Sequence, residues 1–357
     1  MRQEAEPATD EIDEVAPGIL RMQLPLRMPG LGHVNCYILE DSRGVAIVDP
    51  GLPGRRPFTE LTARLARAGV PLKRVHTVVV THSHPDHFGG AGRVRSATGA
   101  EIVTHERFRM IWDRNEPPDL DVEDVADERD SREIAAISAD VTRRRPWDPP
   151  PWGGEGHRFT FKRRMRMRAA SVAPRLFKTP VPSVRLADTE VIRLAGREWV
   201  GLHTPGHTED HLCLYDPTEG VMLSGDHVLP TITPHIGGFD PQGDPLLDFF
   251  ESLDKVAAYG PDVSIVLPAH GHPFDDLAGR AKAIQEHHVG RLDLLRTTTA
   301  ELGRPARVQE FSTHLFSARA QGAMADSETF AHLEHLRRAG EIERRDLAHG
   351  YEYVKPG

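Results

Sequence analysis

The sequence predicts an α+β protein in which two β-sheets pack face to face and are flanked by helices. Three observations predict this class. Short apolar runs separated by turn residues recur over residues 18–49, at 101–104 and again over 188–224, as in successive strands. A helical pattern covers residues 59–69, and a longer one covers 276–302. Strands and helices mixed in this order favour a sandwich, although they do not fix how the strands pair.

The first helix and the strand after it are marked by their apolar spacing. Leu61, Leu65 and Ala68 recur at intervals of four and three residues and therefore share one helix face, and Gly69 ends the pattern. Residues 75–80 then form a valine-rich run that is typical of a buried strand.

The densest cluster of metal-binding side chains directly follows this strand. Four of them lie within six residues: His82, His84, Asp86 and His87. Imidazole and carboxylate ligands without thiolate suit zinc, with iron or manganese as alternatives. Histidines buried beside a carboxylate would be costly unless a cation or hydrogen bonds compensate them, and so dense a cluster favours a metal site over surface histidines. Gly89 and Gly90 predict a tight turn into the following helix.

Three later segments supply further ligands, each after a short apolar run. The runs at 199–202, 221–223 and 263–267 precede, in that order, His207, Asp226 and His270. Glycine or proline beside each ligand predicts a sharp turn at a strand end. Two cations about 3.5–4 Å apart can share one hydroxide and lower its pKa, so such a site needs no serine or cysteine nucleophile.

With this ordered set of ligands the chain resembles the metallo-β-lactamase-fold hydrolase superfamily, and the resemblance covers most of residues 15–275. The family fold is an αββα sandwich of two mixed sheets, with the metals at one edge. The resemblance implies two zinc ions. One would bind His82, His84 and His207, and the other Asp86, His87 and His270, with Asp226 bridging both.

The resemblance also implies roles for residues around the metals. Asp86 and Asp226 would serve in catalysis as well as in metal binding. His211, four residues after His207, is expected to face the metal cleft, where it would contact substrate or shuttle a proton. Asp49 matches a family aspartate behind the metal loop and is expected to orient a ligand imidazole, with a turn aspartate before proline as the alternative.

Asp226 also separates the branches of this family. True β-lactamases of the fold generally carry cysteine or serine at the equivalent position, whereas a bridging aspartate resembles the glyoxalase II, lactonase and ribonuclease branches. Antibiotic hydrolysis is therefore not the expected activity. The leading hypothesis is a dinuclear hydrolase that cleaves an ester, thioester or lactone with a metal-bridging hydroxide. The alternatives are phosphodiester or RNA hydrolysis and a non-catalytic regulatory or scaffold protein that retains the metal site.

The composition is that of a soluble globular protein, with 39% hydrophobic and 27% charged residues in a chain of 357. A net charge of −9 argues against broad nucleic-acid binding. No secretory signal is visible, and no apolar run approaches the roughly 20 residues that span a bilayer. Cys36 and Cys213 lie inside apparent strands and are expected to be buried thiols. We therefore expect a cytoplasmic enzyme with a small-molecule substrate and no membrane contact.

Residues 106–187 form a long insertion between two predicted core strands. It contains an acidic stretch at 119–130, a proline- and tryptophan-rich segment at 146–154 and a basic run at 158–168. We expect a partly helical lid over the metal cleft, with arginines that receive an anionic substrate. Apolar contacts would come from Trp147, Trp152 and Phe159. The alternative is a solvated helix on the outside of the protein.

The chain is expected to divide into a catalytic domain, residues 1–275, and a small C-terminal domain, residues 276–357. Helical segments in the second domain are followed by two short strands at 342–345 and 351–354, which predict a hairpin. Helices that end in a hairpin resemble a winged helix. Acidic residues there disfavour DNA binding, so we expect the domain to cover the active site or to form a homodimer.

Overall fold

The structure is a computed structural model that describes residues 2–28, 30–110, 149–153, 160–172, 178–238 and 243–357. It forms two compact units, each built from three stretches of chain. The first unit contains Met1–Phe108, Pro174–Ile236 and Pro245–Gly290, and the second contains Arg109–Ala173, Gly237–Asp244 and Arg291–Gly357. The domain boundary at residue 275 stays a prediction. The acidic stretch at 119–130, Trp147 and Phe159 lie outside the described residues.

The first unit contains a seven-stranded sheet whose strands follow chain order. They are β1 (Ile12–Ala16), β2 (Ile19–Met28), β3 (Leu31–Glu40), β4 (Val45–Val48), β5 (Val75–Val79), β6 (Glu101–His105) and β7 (Val184–Leu186). The first four pair antiparallel, and β4 to β7 pair parallel. Parallel neighbours need crossover connections, which include the helices α1 (Arg55–Arg67), α2 (Pro85–Phe88) and α3 (Ala91–Thr98). The carboxyl ends of β4 and β5 therefore lie side by side.

The second sheet of this unit has five strands in the order β12, β11, β10, β9, β8. Their bounds are β8 (Val191–Leu194), β9 (Arg197–His203), β10 (Leu212–Asp216), β11 (Val221–Gly225) and β12 (Ile265–Pro268). All neighbours pair antiparallel except β11 and β12, which pair parallel. The remaining described helices are α4 (Phe161–Val172), α5 (Pro245–Ala257), α6 (Leu277–Leu302), α7 (Val308–Leu315) and α8 (Ala323–Arg338).

The two sheets share one apolar core. Tyr37, Val48 and Val79 from the first sheet and Trp199 and Leu214 from the second belong to a single cluster of buried side chains. Burying each such side chain contributes roughly 1.5–3 kcal/mol relative to its exposure, so this face-to-face packing is what stabilises the sandwich. Helices α1 and α3 pack on the first sheet. The predicted α+β sandwich of two mixed sheets with flanking helices is confirmed.

The helix predicted at 59–69 begins four residues earlier than expected, at Arg55. Pro57 lies in its first turn, where the backbone nitrogen has no partner within the helix and proline is tolerated. The helix ends just before Gly69, whose φ of +74° is left-handed. The sequence pattern therefore marked the end of this helix better than its beginning.

Gly89 and Gly90 are required by close packing rather than by a special turn. Their φ angles are −61° and −80°, which any residue adopts. A Cβ atom on Gly89 would lie 2.1 Å from the Pro53 nitrogen, and one on Gly90 would lie 2.3 Å from the Pro50 oxygen. The predicted turn is present at residues 89–90, and glycine is required there because it lets the loop after β4 approach the ligand-bearing loop.

The second unit contains a three-stranded antiparallel sheet in the order β13, β15, β14. Its strands are β13 (Ala306–Arg307), β14 (Glu343–Leu347) and β15 (Gly350–Val354). The predicted C-terminal helices and hairpin are present, and Tyr353 of the hairpin donates a hydrogen bond to Glu334 of α8 at 2.7 Å. Trp152 is buried and packs on Phe330, which indicates a core residue rather than a substrate contact. None of the described helices is long and apolar enough to cross a bilayer.

Candidate metal centre

The side chains predicted as metal ligands lie together on loops that leave β5, β9, β11 and β12. They form two groups of donor atoms, and within each group all the donor atoms lie within 4.8 Å of one another. The first group consists of His82, His84, His207 and Asp226. The second group consists of Asp86, His87 and His270. Residues almost two hundred positions apart are thus brought to one place by the pairing of the strands that carry them.

Three ring nitrogens converge in the first group. The Nδ1 atom of His84 lies 2.9 Å from Nε2 of His82 and 3.1 Å from Nε2 of His207. Two nitrogens bonded to one tetrahedral zinc at about 2.0 Å would be about 3.3 Å apart, so this spacing fits a single cation. His84 presents Nδ1 to that point, while the other two rings present Nε2.

The carboxylate of Asp226 lies between the two groups. Its Oδ2 atom is 3.5 Å from Nε2 of His207 and 3.6 Å from Nε2 of His87. Its Oδ1 atom is 3.2 Å from Nε2 of His270. In the second group, Oδ2 of Asp86 is 3.5 Å from the same nitrogen of His87 and 3.6 Å from that of His270. Each oxygen of Asp226 therefore has histidine nitrogens within ligand-to-ligand distance.

Asp49 and Thr81 orient two of the ligand rings from behind. Oδ2 of Asp49 accepts hydrogen bonds from Nδ1 of His87 at 2.9 Å and from the Thr81 hydroxyl at 2.8 Å. Because that hydroxyl donates its proton to Asp49, it accepts from Nδ1 of His82, 3.0 Å away. The other oxygen of Asp49 accepts the Thr81 backbone N–H at 2.9 Å. A single buried carboxylate thus fixes the tautomer of one ring directly and of the other through Thr81.

Backbone carbonyls orient two further ligand rings. Nδ1 of His207 donates to the carbonyl oxygen of His235 at 2.7 Å, and Nδ1 of His270 donates to that of His33 at 2.6 Å. Both rings consequently turn Nε2 toward the centre. Neither His33 nor Thr81 was predicted from the sequence as a residue that orients a ligand, and His235 was assigned no role. Carbonyl acceptors carry no sequence signal because every residue has one.

His211 is engaged by the protein at both ring nitrogens. Its Nε2 accepts the backbone N–H of Asp226 at 3.0 Å, and its Nδ1 therefore donates to the Thr204 hydroxyl at 2.7 Å. Burial lowers the pKa of this ring well below its usual range, which keeps it neutral and able to accept. These contacts do not support the predicted proton shuttle; they indicate a residue that positions the backbone of Asp226. A Cβ atom on Gly225 would lie 2.6 Å from the same Nε2.

The buried charges of the centre favour a cation. Burial lowers the pKa of His82 and of His84 well below the usual range, so both rings are neutral, as metal ligands must be. Burial also acts to lower the pKa of His87, but Asp86 and Asp226 raise it well above its usual range. Asp226 similarly raises the pKa of His270 against the effect of burial. The carboxylates therefore draw positive charge into this space.

The donor set passes a simple test of fit to a metal ion. Buried polar atoms in proteins are almost always hydrogen-bonded. The buried atoms of the described residues that make no hydrogen bond of acceptable geometry include Nε2 of His87, Nε2 of His270 and Oδ1 of Asp226, although the last two lie 3.2 Å apart. All three belong to the two groups and lie beside one another. A divalent cation at this point would satisfy them, and imidazole with carboxylate is the donor set that zinc accepts.

A two-sheet sandwich with histidine and aspartate side chains clustered at its strand ends defines a metallo-hydrolase fold. The chain belongs to the metallo-beta-lactamase superfamily, whose family profile matches residues 29–270. It is 23% identical over 325 residues to the probable metallo-hydrolase YqjP of Bacillus subtilis (strain 168), a match that spans 88% of this chain and 91% of the relative. It also resembles a hydroxyacylglutathione hydrolase of Albidiferax ferrireducens, with 37% identity over 89 residues, which are 25% of this chain and 31% of that protein.

Two crystal structures have the same fold over nearly the whole chain. A metallo-beta-lactamase family protein from Thermus thermophilus is 29% identical with a TM-score of 0.71, and the match covers 96% of this chain and 100% of that one. A beta-lactamase domain protein from Burkholderia ambifaria is 26% identical with the same TM-score of 0.71, covering 98% of this chain and 96% of that one. The similarity thus extends beyond the sandwich into the second unit.

Proposed function

We propose that this protein is a dinuclear, zinc-dependent hydrolase that cleaves an ester, thioester or lactone. The observation that carries the proposal is the position of Asp226, whose two oxygens lie 3.5 Å from His207 and 3.2 Å from His270, one in each group. A carboxylate between two ligand groups is the arrangement that allows two cations to share a ligand. The first group would hold one metal ion and the second group the other.

Two bound divalent cations would supply Lewis-acid polarisation of a carbonyl and ionisation of water near neutral pH. The protein's own contribution is to hold the ligands in place. Asp49, His33 and His235 fix three ligand rings through their Nδ1 atoms, so that Nε2 of each faces the centre. The side chains of His82, His87 and His270 are fully buried, and that of His207 is only 6% exposed.

Two arguments support a substrate that is attacked at a carbonyl group: the residue at position 226 and the name of one relative. Asp226 occupies the place where true β-lactamases of the fold carry cysteine or serine, which argues against antibiotic hydrolysis. The hydroxyacylglutathione hydrolase matched over 89 residues is named for the hydrolysis of an acyl derivative of glutathione. We propose for this chain the same class of reaction, hydrolysis at an acyl carbonyl, but not the same substrate.

For the second unit we propose a winged-helix-like arrangement that does not read DNA. Helices α7 and α8 precede the β14–β15 hairpin, as in a winged helix. A recognition helix must offer an exposed face to the major groove. Residues 327–334 of α8 are all buried, so this helix has no such face over its central two turns. This burial supports a role in packing or dimerisation.

The test is a panel of substrates offered to the metal-loaded full chain. Acyl thioesters, esters and lactones are compared with phosphodiesters and short RNA, before and after chelation. We expect carbonyl substrates to turn over, chelation to abolish turnover and zinc to restore it. His207→Ala should lower kcat/KM by at least about a hundredfold, while His314→Ala, an exposed histidine on α7, should not. The proposal would be overturned if the protein hydrolysed only RNA. It would also be overturned if the protein bound both metals and hydrolysed none of the substrates.

A further inference from the structure

Asp210 is a buried carboxylate that belongs to neither ligand group. Its side chain is 3% exposed, and Oδ1 accepts a hydrogen bond from the Ser83 hydroxyl at 3.0 Å. Ser83 lies between the ligands His82 and His84. The hydrogen bond therefore joins the ligand loop after β5 to the ligand loop after β9, which are 127 residues apart in the chain.

The neighbouring residue secures a third ligand loop. His211 accepts the backbone N–H of Asp226 at 3.0 Å, as described above. The next backbone nitrogen, that of Leu212, donates to the carbonyl oxygen of Thr81 at 2.8 Å, one residue before the first ligand. The three consecutive residues Asp210, His211 and Leu212, which lead into β10, thus hold the loops that bear all four members of the first group.

Keeping a carboxyl group at this position is costly. Burial raises the pKa of Asp210 to about 7, although side-chain hydrogen bonds with Thr208 and Ser83 act to lower it. A buried acid is retained only where its hydrogen bonds offset the lost hydration. The adjacent Glu209 shows the contrast, because its side chain is 76% exposed and pairs with Arg107 at the surface. The burial of Asp210, and not the acidity of this segment, calls for an explanation.

We propose that Asp210 is a positioning residue that, through Ser83, sets the metal affinity of the first group without acting on the second. The inference rests on the proposed metal-dependent function and deepens it. The hydrogen bond fixes the backbone between His82 and His84, so that Nε2 of one ring and Nδ1 of the other stay 2.9 Å apart. Removing such an outer partner typically weakens metal binding 10- to 100-fold. The second group is held through Asp49 and His33 and has no contact with Ser83 or Asp210 among the described hydrogen bonds, while Asp49 also reaches His82 of the first group through Thr81.

The test measures zinc affinity rather than turnover. Metal-free full chain is titrated with zinc in competition with a chelating indicator, and the site lost in His84→Ala identifies the first group. Ser83→Ala and Asp210→Ala should each raise the dissociation constant of that site about 10- to 100-fold and leave the other site within about threefold. Asp210→Asn keeps an acceptor oxygen for Ser83 and should restore most of the affinity. Far-ultraviolet circular dichroism checks that each variant is folded.

Two controls match the chemistry of these variants. Ser96→Ala removes a hydroxyl that bonds only within its own helix, to the Gly92 carbonyl at 2.8 Å, and Glu209→Gln changes the exposed neighbour. Both should leave the two dissociation constants unchanged. The double variant Ser83→Ala/Asp210→Ala should equal Asp210→Ala alone, because the Ser83 hydroxyl has no carboxylate to bind once Asp210 is removed.

The outcomes separate this inference from the proposed function. Suppose that the parent protein binds two zinc ions and that Ser83→Ala binds both with unchanged affinity. This result would overturn the positioning role of Asp210 and leave the hydrolase proposal intact. Equal weakening of both sites would also overturn it, because it would show a general loss of structure. Failure of the parent protein to bind zinc would remove the proposed function and this inference together.

Discussion

The imidazole rings of His105 and His203 stack face to face, with centroids 3.9 Å apart and planes inclined by 8°. His105 is 1% exposed, and burial, followed by the charge of a neighbouring His203, lowers its pKa to about 3. Burial also lowers the pKa of His203. Arg107 and Lys255 act in the same direction, while Asp188 opposes them. Both rings are therefore neutral in the folded protein at neutral pH.

This pair predicts loss of stability on acidification. The ring of His105 has an ordinary pKa of 6.5 in the unfolded chain and a pKa of about 3 in the folded protein, so the unfolded state binds more protons between these values. The stabilisation is complete above about pH 6.5 and is lost as pH falls toward 3. His105→Phe keeps a planar ring and should flatten the pH dependence of the free energy of unfolding by at most about 1.4 kcal/mol per pH unit. Denaturant titrations at several pH values measure the free energy of unfolding. If its slope against pH is the same in His105→Phe as in the parent protein, the prediction is wrong.

Asp49 should be required for tight metal binding although it is not itself a predicted ligand. Asp49→Asn replaces one acceptor oxygen by an NH2 group that cannot accept from His87 or from Thr81. We expect zinc affinity to fall about 10- to 100-fold, measured by competition with a chelating indicator. Asp275→Asn, on an exposed aspartate, is the matched control. Equal affinities in the two variants would show that Asp49 is only a turn residue.

Gly225 should tolerate no side chain. Its φ is +51°, and a Cβ atom there would lie 2.6 Å from Nε2 of His211 and 3.1 Å from Cβ of Thr81. Gly303 has a similar φ of +59° but nothing within 4 Å. Gly303→Ala should therefore cost only the backbone strain of about 1–2 kcal/mol, and Gly225→Ala roughly 1–3 kcal/mol more. Thermal and denaturant unfolding compare the two; equal losses would count against the close approach.

Zinc should stabilise the folded protein by binding it in preference to the unfolded chain. At a free zinc concentration a hundredfold above the dissociation constant, each site adds about 2.7 kcal/mol to the free energy of unfolding. Chelation should lower the melting temperature and zinc should restore it. His207→Ala should lose part of this gain, while His314→Ala should keep all of it. A melting temperature indifferent to zinc in the parent protein would argue that the groups do not bind it.

The basic run offers a test of the anionic-substrate prediction. Residues 161–172 form α4, in which Lys162, Arg166 and Arg168 are exposed. Replacing Arg163, Arg164 and Arg166 together should raise KM for an anionic substrate and leave kcat nearly constant, because such charges act on binding. A neutral analogue of the same substrate is the control and should show no change. If KM for the anionic substrate is unchanged, the basic run does not bind the substrate.

The sequence by itself predicted which side chains form the candidate metal centre and where most of the sandwich strands lie. His82, His84, Asp86 and His87 could be found because metal ligands belong to few residue types and here follow a run that must be a buried strand. The strand predicted at 101–104 extends over Glu101–His105, because a short apolar run bounded by turn residues can be recognised without distant information.

Only the tertiary structure decided what each histidine does. His211 looked like a proton shuttle in the sequence, yet the folded chain places it under the backbone of Asp226, 15 residues away. The hydrogen bond between Asp210 and Ser83, and the carbonyl of His33 that orients His270, join residues more than 100 positions apart. Such contacts depend on which strands become neighbours. That choice is made by burial of the whole core between the two sheets, and no local pattern records it.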